Sequence, residues 1–494
     1  MIPSSASRRP AADRANLLAH LNIPPGVFLG RPAISTVSRP GRTNLRHPPA
    51  WSRENGIIKA MKAGSGAPPS TLDASAPLGD DVPPYLPRLI DGLLGELLDE
   101  VPAVLVVGPR ACGKTTSCQQ LAATTLRLDR SDQAAATRAD VDLAVAAEDE
   151  PLLIDEWQFV PEVLGAVKRA VDHDGRPARF LLTGSASADL GPAGWAMIGR
   201  VVKVRMWGLA QRELTNATAG SSLVDMLFGG DIASVVTLAD ALDLRGYVEQ
   251  ALRGMLPAVA LGSSERVRQR RLAAYIDQLT LQDVAALGDR RDPRLLRRYL
   301  SALAANTAGI PEHKVLFDAA GIDRRTAHAY DTLLEGLFMT EQVPPWSNNR
   351  LNRLTRTPKR HLVDPAFLGP LVGIDVGSVL RSGDLLGRIM DTFVVSQLRP
   401  ELEVCQQGVT MYHVRQEGGS HEIDLLLEAP DGAVVGIEVK AGSTPDRSDA
   451  KHLIWLRDQL GDRFVCGVVF HTGPRPFRLD ERIHALPISA IWSH

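Results

Sequence analysis

The sequence predicts an α/β protein built from several domains. Its 494 residues leave room for about three hydrophobic cores. Between residues 104 and 204, short apolar segments alternate with helical patterns, which is typical of a parallel sheet covered by helices. A second group of strand patterns lies between residues 410 and 440, and a mainly helical region separates the two groups.

Composition and charge exclude several classes of protein. The hydrophobic fraction of 44% and the charged fraction of 23% are ordinary for a globular chain, and a net charge of -2 gives no global attraction for polyanions. Four scattered cysteines lack disulfide or zinc spacing, which suits a reducing interior. Because no apolar run is long enough to span a bilayer, we expect a cytoplasmic protein without a membrane partner.

Residues 1–83 are predicted to be a mostly disordered basic tail. They are rich in Pro, Ser, Ala, Gly and Arg and lack sustained periodicity. Three interpretations stay open: a solvated tail, an arm that binds nucleic acid, and an over-extended gene start with Met61 as the initiator.

An apolar strand that begins at Val104 runs into a glycine-rich loop with the spacing G-x-x-x-x-G-K-T. Backbone N–H groups of such a loop bind nucleotide phosphates, and the following helix adds the positive end of its dipole. Lys114 is expected to reach the β- and γ-phosphates, and Thr115 to hold Mg²⁺, so the predicted cofactors are ATP and Mg²⁺. The predicted nucleotide-binding residues are Gly108, Pro109, Arg110, Ala111, Cys112, Gly113, Lys114, Thr115 and Thr116. An ordinary strand–turn–helix is the alternative.

A second apolar strand, residues 151–154, ends in Asp155 and Glu156. At the carboxyl end of a strand, Asp155 can bind Mg²⁺ directly or through water. Glu156 can polarise a water molecule for in-line attack on the γ-phosphate. We therefore predict Asp155 as a metal ligand and Glu156 as a catalytic residue.

Two further positions are predicted to act on the γ-phosphate. A strand over residues 178–183 has a polar tip, at which Thr183 or Ser185 can hydrogen-bond the attacking water or the phosphate. A turn after a buried strand is the alternative. Arg200 precedes another strand and is predicted to act on the developing phosphate charge, from the same chain or from a neighbouring subunit. A surface arginine is the alternative for Arg200.

The region 215–365 is predicted to be helical, with a helix-turn-helix near its end. Residues 315–334 read as a helix, a turn at Gly321, a cap at Asp323 and a second helix, and residues 338–357 as a wing. If the second helix enters a DNA groove, four of its residues face bases or phosphates. These residues are Arg324, Arg325, Thr326 and His328. A winged helix used only for packing is the alternative.

The last segment, 366–494, carries a second group of chemical residues. Asp424 and Glu438 lie on two strands joined by a predicted hairpin turn, and Lys440 shares one strand face with Glu438. Asp391 lies on a preceding predicted helix over residues 387–398. Asp424 and Glu438 so placed can bind Mg²⁺ as metal ligands while Lys440 orients water towards a phosphodiester. Polar residues on an exposed hairpin face are the alternative.

Several segments together resemble a known family. Tyr85-Leu-Pro-Arg88, the phosphate loop, LLIDEWQ, LLTGSAS and Gln211-Arg-Glu-Leu214 are similar to prokaryotic AAA+ superfamily ATPases with a C-terminal domain of unknown function. The resemblance covers Tyr85 to the end. It implies a P-loop AAA+-type ATPase domain at 84–214, a helical and winged-helix region at 215–365, and a restriction-endonuclease-like α/β domain of the PD-(D/E)xK type at 366–494.

Two positions depart from the family pattern. Trp207-Gly-Leu-Ala210 stands where relatives tend to have Pro-Leu-Ser, which concerns the local loop rather than the nucleotide site. Asp391 stands where relatives usually carry Glu, and its shorter side chain reduces the reach of that predicted metal ligand.

Two functional hypotheses follow. The first is an enzyme that binds and hydrolyses ATP and acts on nucleic acid through its winged-helix and nuclease-like domains. The second is a nucleotide-gated module that binds DNA or protein without nuclease activity. The predicted partners are ATP and DNA, and a second copy of the chain is a candidate partner.

Overall fold

The computed structural model describes residues 51–54, 57–60, 85–184, 197–230, 232, 242–282, 292–349, 353, 357–416 and 420–493. The chain divides into two compact units, residues 1–81 and residues 82–494. In the first unit, strands β1 (Trp51–Glu54) and β2 (Ile57–Ala60) pair antiparallel. The sequence does not predict this pair, because strands of four residues leave no sustained periodicity. The rest of the predicted tail at residues 1–83 lies outside the described residues.

The second unit begins with a five-stranded parallel sheet. Its strands follow the order β4, β5, β6, β3, β7 across the sheet. In chain order they are β3 (Ala103–Val107), β4 (Thr124–Arg127), β5 (Leu152–Asp155), β6 (Phe180–Thr183) and β7 (Val202–Arg205). The helices are α1 (Ile90–Glu100), α2 (Lys114–Gln119), α3 (Ser131–Ala139), α4 (Val141–Ala146) and α5 (Val163–His173).

Side chains of the three central strands, β5, β6 and β3, are buried on both faces of the sheet. Val104 of β3 belongs to one apolar cluster with Leu94 of α1, whereas the next residue, Leu105, belongs to another with Val167 of α5. Successive side chains of a strand point to opposite faces, so helices must cover both faces. The continuous apolar runs of β3, β5 and β6 follow from this burial.

Short and long helices form the middle of the chain. They are α6 (Gln211–Leu214), α7 (Leu223–Gly229), α8 (Leu244–Arg253), α9 (Pro257–Ala260), α10 (Glu265–Gln282), α11 (Pro293–Ala305), α12 (His313–Ala320) and α13 (Arg324–Gly336). Gly321, with a φ of +70°, ends α12, and the Asp323 carboxylate accepts from the Thr326 N–H at the start of α13. The two helices and their turn therefore lie at the residues of the predicted helix-turn-helix.

An antiparallel strand pair follows α13. Strands β8 (Thr340–Val343) and β9 (Lys359–Leu362) place Gln342 opposite Arg360. Strand β8 lies within the predicted wing at 338–357, whereas the whole of β9 follows that range. Residues 350–352 and 354–356 of the predicted wing lie outside the described residues.

Helices and a mixed sheet complete the chain. After a 3₁₀ turn (Pro365–Phe367) come α14 (Leu368–Val372), α15 (Val376–Arg381) and α16 (Gly383–Val404). The strands are β10 (Thr410–Arg415), β11 (Glu422–Glu428), β12 (Val434–Val439), β13 (Phe464–His471), β14 (Phe477–Asp480) and β15 (Ile483–Pro487), with α17 (Lys451–Leu460) between β12 and β13. The strand order is β10, β11, β12, β13, β15, β14, in which β12, β13 and β15 run parallel to one another.

One apolar core joins the helical region to the C-terminal sheet. A single cluster of buried side chains extends from Leu223 of α7 to Trp492 and includes Phe393 of α16. The predicted boundary at residue 365 therefore does not separate two independent cores. None of the described helices combines the length and the apolar character needed to cross a membrane.

Candidate nucleotide site and C-terminal cleft

The phosphate loop follows β3 directly. A Cβ atom at Gly108 would lie 2.0 Å from the Met206 carbonyl oxygen, so only glycine fits between the loop and the neighbouring strand. Gly113 has a φ of +104°, in the region that glycine adopts without strain. These two glycines let the loop turn sharply from the sheet into α2, which begins at Lys114.

Lys114 is held inside the loop. Its ammonium donates to the carbonyl oxygens of Gly108 at 3.1 Å and Pro109 at 2.9 Å, and its side chain is buried. The positive charge thus lies within the turn whose backbone would surround a nucleotide's phosphates.

Asp155, at the carboxyl end of β5, contacts both the end of β6 and the first turn of α2. Its Oδ1 atom accepts from the Thr115 hydroxyl at 2.7 Å and from the Thr183 hydroxyl at 2.5 Å. Because β6 lies between β3 and β5, the residue after the phosphate-loop lysine and the tip of β6 converge on this carboxylate. Hydroxyl and carboxylate oxygens are ligands that Mg²⁺ prefers, so the donor set fits the predicted ion.

Glu156 leaves the strand with an unusual backbone conformation. Its φ is +56°, and its carboxylate accepts from the Gln158 amide. The turn at Glu156 directs its side chain differently from that of Asp155. The contact with Gln158 holds the Glu156 carboxylate close to the end of β5.

The predicted residue Arg200 is not brought to this site. Arg200 donates to Asp172 at 2.5 Å and precedes β7, whose Val202 aligns with Val104 near the amino end of β3. The phosphate loop leaves the opposite, carboxyl end, so the fold does not carry Arg200 to the γ-phosphate position of its own chain. The hydrogen bond from Arg200, followed by that from Lys168, lowers the pKa of Asp172 to about 2. Ser185 lies outside the described residues.

Arg88 stabilises the phosphate loop through its guanidinium group. Sequence reasoning missed this role. Its guanidinium donates to the Cys112 carbonyl at 2.8 Å and forms an ion pair with Glu213 at 3.0 Å. Both side chains are buried. Arg88 and Glu213 lie more than a hundred positions apart in the sequence. The one sequence signal for their pairing is that the YLPR and QREL segments, which contain these two residues, both belong to the resemblance to the AAA+ family.

Another missed residue is Arg127 at the end of β4. Its guanidinium lies 4.0 Å from Asp155 Oδ2 and is about half exposed. It therefore places a cation near Oδ2 of Asp155, the oxygen that the two threonines do not contact.

The C-terminal candidates meet in one cleft. A cavity of about 530 Å³ is lined by side chains from α16, β11 and β12. Among its lining residues are Asp391, Asp424, Glu438, Lys440 and His452. The structure thus brings together the four residues that the sequence singles out, with His452 of α17 as a neighbour.

Lys359 of β9 lies among these carboxylates. Its ammonium donates to Asp391 Oδ2 and, at 3.1 Å, to Asp424 Oδ1, and its side chain is 4% exposed. Lys440 donates to Glu438 Oε2 at 3.3 Å. Sequence reasoning missed Lys359 because it lies 32 and 65 residues from its partners.

Burial and neighbouring charges shift the acidities in this cleft. Burial raises the pKa of Asp391 to about 7, and burial followed by the Asp424 charge raises the pKa of Glu438 well above its ordinary value. Although burial opposes the change, the Lys359 ammonium lowers the pKa of Asp424. Burial also acts against the charge on Lys359, but Asp391 and Asp424 together raise the pKa of that lysine.

The arrangement does not form a metal centre as it stands. Within the described ranges, no group of three or more His, Cys, Asp or Glu side chains is placed to hold a metal ion. The predicted ligands Asp391, Asp424 and Glu438 share the cleft, but an ammonium lies between the first two.

Helix α13 begins with exposed basic side chains. Arg324, Arg325 and His328 of α13 are exposed, whereas Ala327 and Tyr330 on the opposite face are buried. Within the part of the chain that the structure describes, neither Arg324 nor Arg325 forms an ion pair.

Comparison with known families divides the chain into three matched segments. Residues 100–215 match the family described as AAA domain, so the parallel sheet and its loop form a P-loop ATPase domain of the AAA type. Residues 244–377 and 386–491 match two families described as domains of unknown function, DUF8612 and DUF4143.

Two curated mycobacterial proteins are similar over most of their length. They are uncharacterized protein Rv2008c of Mycobacterium tuberculosis (strain ATCC 25618 / H37Rv) and uncharacterized protein Mb2031c of Mycobacterium bovis (strain ATCC BAA-935 / AF2122/97). Each is 30% identical over 403 residues, which cover 81% of this chain and 82% of the relative. The chain belongs to the family of these two proteins.

Family membership and the AAA match agree with the architecture. The shared 403 residues are most of the chain, so the relatives share more than the AAA segment.

Among solved structures, the one described as the Walker-type ATPase PABY2304 of Pyrococcus abyssi is similar over 57% of this chain and 94% of its own, with 16% identity and a TM-score of 0.34.

Proposed function

We propose that this protein binds Mg²⁺-ATP at the phosphate loop and hydrolyses it. The observation that carries the proposal is the Asp155 carboxylate, whose Oδ1 atom accepts from both Thr115 and Thr183. That contact assembles a phosphate-loop hydroxyl, an acidic strand end and a polar strand tip at one edge of the sheet.

Each residue has a distinct role in this proposal. The loop backbone and Lys114 bind the β- and γ-phosphates; the ammonium gives up its contacts with Gly108 and Pro109 as the phosphates enter. Glu156 accepts a proton from the attacking water, and Thr183 orients that water or a γ-phosphate oxygen. Thr115 and Asp155 would hold the magnesium ion, which when bound offsets the phosphate charge.

Replacing Glu156 by Gln tests the hydrolytic part of the proposal. The change keeps the shape of the side chain but removes the base, so ATP binding should persist while turnover falls by about 10² or more. Steady-state phosphate release and equilibrium binding of ATP would be measured on the same preparations. Turnover equal to that of the unaltered chain would remove Glu156 from the mechanism.

We further propose that the helix-turn-helix contacts the DNA backbone. The supporting observation is the exposed basic start of α13, where Arg324 and Arg325 project from a helix whose opposite face is packed. Because the net charge of the chain is only -2, such a local patch is the feature that would attract phosphates.

Salt dependence of DNA binding tests this second proposal. Removing both arginines with Arg324→Ala and Arg325→Ala should weaken duplex binding and lower the slope of log K against log salt by about one for each lost phosphate contact. The control pair, Arg169→Ala and Arg176→Ala, removes two exposed arginines from the ATPase domain. An equal salt slope for the α13 variant and the unaltered chain would exclude this contact.

The C-terminal cleft supports a binding role better than Mg²⁺-dependent cleavage. Asp424, Glu438 and Lys440 lie together in this cleft. Their arrangement favours descent from a nuclease-like ancestor. However, the Lys359 ammonium contacts two of the three predicted metal ligands. We therefore favour a C-terminal domain that binds a partner without cutting nucleic acid.

A further inference from the structure

The Lys359 ammonium is in direct contact with two carboxylates that come from different parts of the fold. Asp391 is on α16 and Asp424 is on β11, and the same nitrogen donates to both. The ammonium is almost fully buried, so it is not a solvated side chain that happens to lie nearby. A shared ammonium of this kind compensates the negative charge of both carboxylates, as a bridging metal ion would.

An ammonium and a divalent ion cannot both occupy this position. Mg²⁺ requires oxygen ligands at about 2.0–2.1 Å in near-octahedral geometry. The carboxylate oxygens that face each other here are already directed at the lysine nitrogen. The other oxygen of Asp424 accepts from the Val439 N–H at 3.0 Å, so both of its oxygens are engaged.

Two other oxygens of the cleft have no partner. Asp391 Oδ1 and Glu438 Oε1 are buried and form no hydrogen bond with any described residue. A buried carboxylate oxygen without a partner is costly, and a cation is its usual remedy. The cleft therefore keeps unused ligands next to the position that Lys359 fills.

The backbone fixes the direction of Lys359. The next residue, Arg360, forms a two-point ion pair with Asp331 of α13, with N–O distances of 2.7 and 3.0 Å. Because neighbouring side chains of a strand point to opposite sides, this pair orients Lys359 towards the cleft. Pairing of β9 with β8 holds the strand itself.

We propose that Lys359 is the permanent counter-ion of the C-terminal cleft and takes the place of a divalent metal ion between Asp391 and Asp424. The native cleft accordingly loads no Mg²⁺ or Mn²⁺. Removal of the ammonium leaves Asp391 and Asp424 as a pair of carboxylates that a divalent cation can bridge. This inference concerns the C-terminal cleft alone and does not depend on ATP hydrolysis at the phosphate loop.

Mn²⁺ binding without nucleotide tests the inference. Calorimetric titrations would compare the full-length unaltered chain with Asp424→Asn, and Lys359→Met with Lys359→Met/Asp424→Asn. The first two should show no difference in bound Mn²⁺. Lys359→Met should gain one ion per chain, bound at least about tenfold more tightly than any cleft binding of the unaltered chain, and the double variant should lose it.

Two controls keep the result decisive. Lys359→Arg retains the positive charge and should behave like the unaltered chain, and a Mn²⁺-dependent rise in melting temperature should appear only for Lys359→Met. If Lys359→Met does not fold, the comparison of the unaltered chain with Asp424→Asn still decides. One Mn²⁺ bound by the unaltered chain and lost in Asp424→Asn would overturn the inference. So would Mg²⁺-dependent DNA cleavage that requires Asp424, or a folded Lys359→Met chain that gains no ion.

Discussion

Arg212 and Glu401 form an ion pair whose side chains are only 2% and 1% exposed. Arg212 lies on α6 at the end of the AAA segment, and Glu401 lies on α16, ten residues after Asp391. The adjacent Gln211 N–H donates to Gln397 of the same helix at 2.8 Å. The helix that carries a cleft carboxylate is therefore fixed directly to the ATPase domain.

Breaking this pair should strongly destabilise the protein. Arg212→Ala leaves Glu401 buried without its charge partner, although the Leu223 N–H still donates to it. The expected loss in the free energy of unfolding is about 3–5 kcal/mol. Urea denaturation followed by circular dichroism would measure it.

Arg245→Ala is the matched control, because Arg245 forms an exposed ion pair with Glu249 one helical turn away. Such a pair contributes about 0.3–0.5 kcal/mol. Similar losses for the two variants would show that burial of the Arg212–Glu401 pair has no energetic weight.

Replacing Thr183 by Val should slow ATP hydrolysis while leaving ATP affinity nearly unchanged. The change preserves shape but removes the hydroxyl that donates to Asp155. A lost hydrogen bond to a charged group is worth about 1.5–3 kcal/mol, which corresponds to roughly 10- to 100-fold in rate. The measurement is kcat beside the dissociation constant for ATP.

The control is Thr137→Val on α3, where the hydroxyl donates only to the backbone of its own helix. If both variants retain normal kcat, the hydroxyl of Thr183 has no part in the reaction.

Asp364 should make stability depend on pH between about 4 and about 6. Burial raises its pKa from 3.8 to about 6 in the folded chain, although the Met255 and Ala366 N–H groups oppose the shift. The folded state then binds more protons than the unfolded chain in this window, so stability falls as the pH rises through it. The largest loss is about 3 kcal/mol.

Asp364→Asn removes the titrating group, and the measurement is the difference between the two unfolding free energies across this pH range. The substitution also disturbs the hydrogen bonds to Met255 and Ala366, but that effect does not change with pH. A difference that stays constant from pH 4 to pH 6 would contradict the raised pKa.

The nucleotide loop could be predicted because its information is local. Gly108, Gly113 and Lys114 lie within one short segment, and the backbone conformation that they permit is encoded at those positions. The acidic end of β5 follows an equally short apolar run. The order of the strands and their shared carboxyl edge then bring Thr183 to Asp155.

The contacts that the sequence did not predict are long-range. Lys359 finds Asp391 and Asp424 only after β9, α16 and β11 have packed, and no periodicity links these positions. Helix α16 also extends on both sides of the predicted range 387–398. A proline normally disfavours a helix interior, so Pro400 gave no indication that the helix continues past it. Here Glu401 and Glu403 bind Arg212 and the Arg205 N–H, and these contacts hold the last turn.

Equilibrium binding of ATP to the unaltered chain and to Lys114→Ala tests the central claim most directly. The variant loses the ammonium that the loop holds between the Gly108 and Pro109 carbonyls, so the β- and γ-phosphates lose their compensating charge. Lys168→Ala, which removes a partly exposed lysine from α5, is the control. We expect Mg²⁺-dependent ATP binding by the unaltered chain and the control, and a loss of at least about 10²-fold in affinity for Lys114→Ala. Undiminished ATP affinity in a folded Lys114→Ala chain would contradict the assignment of the nucleotide site.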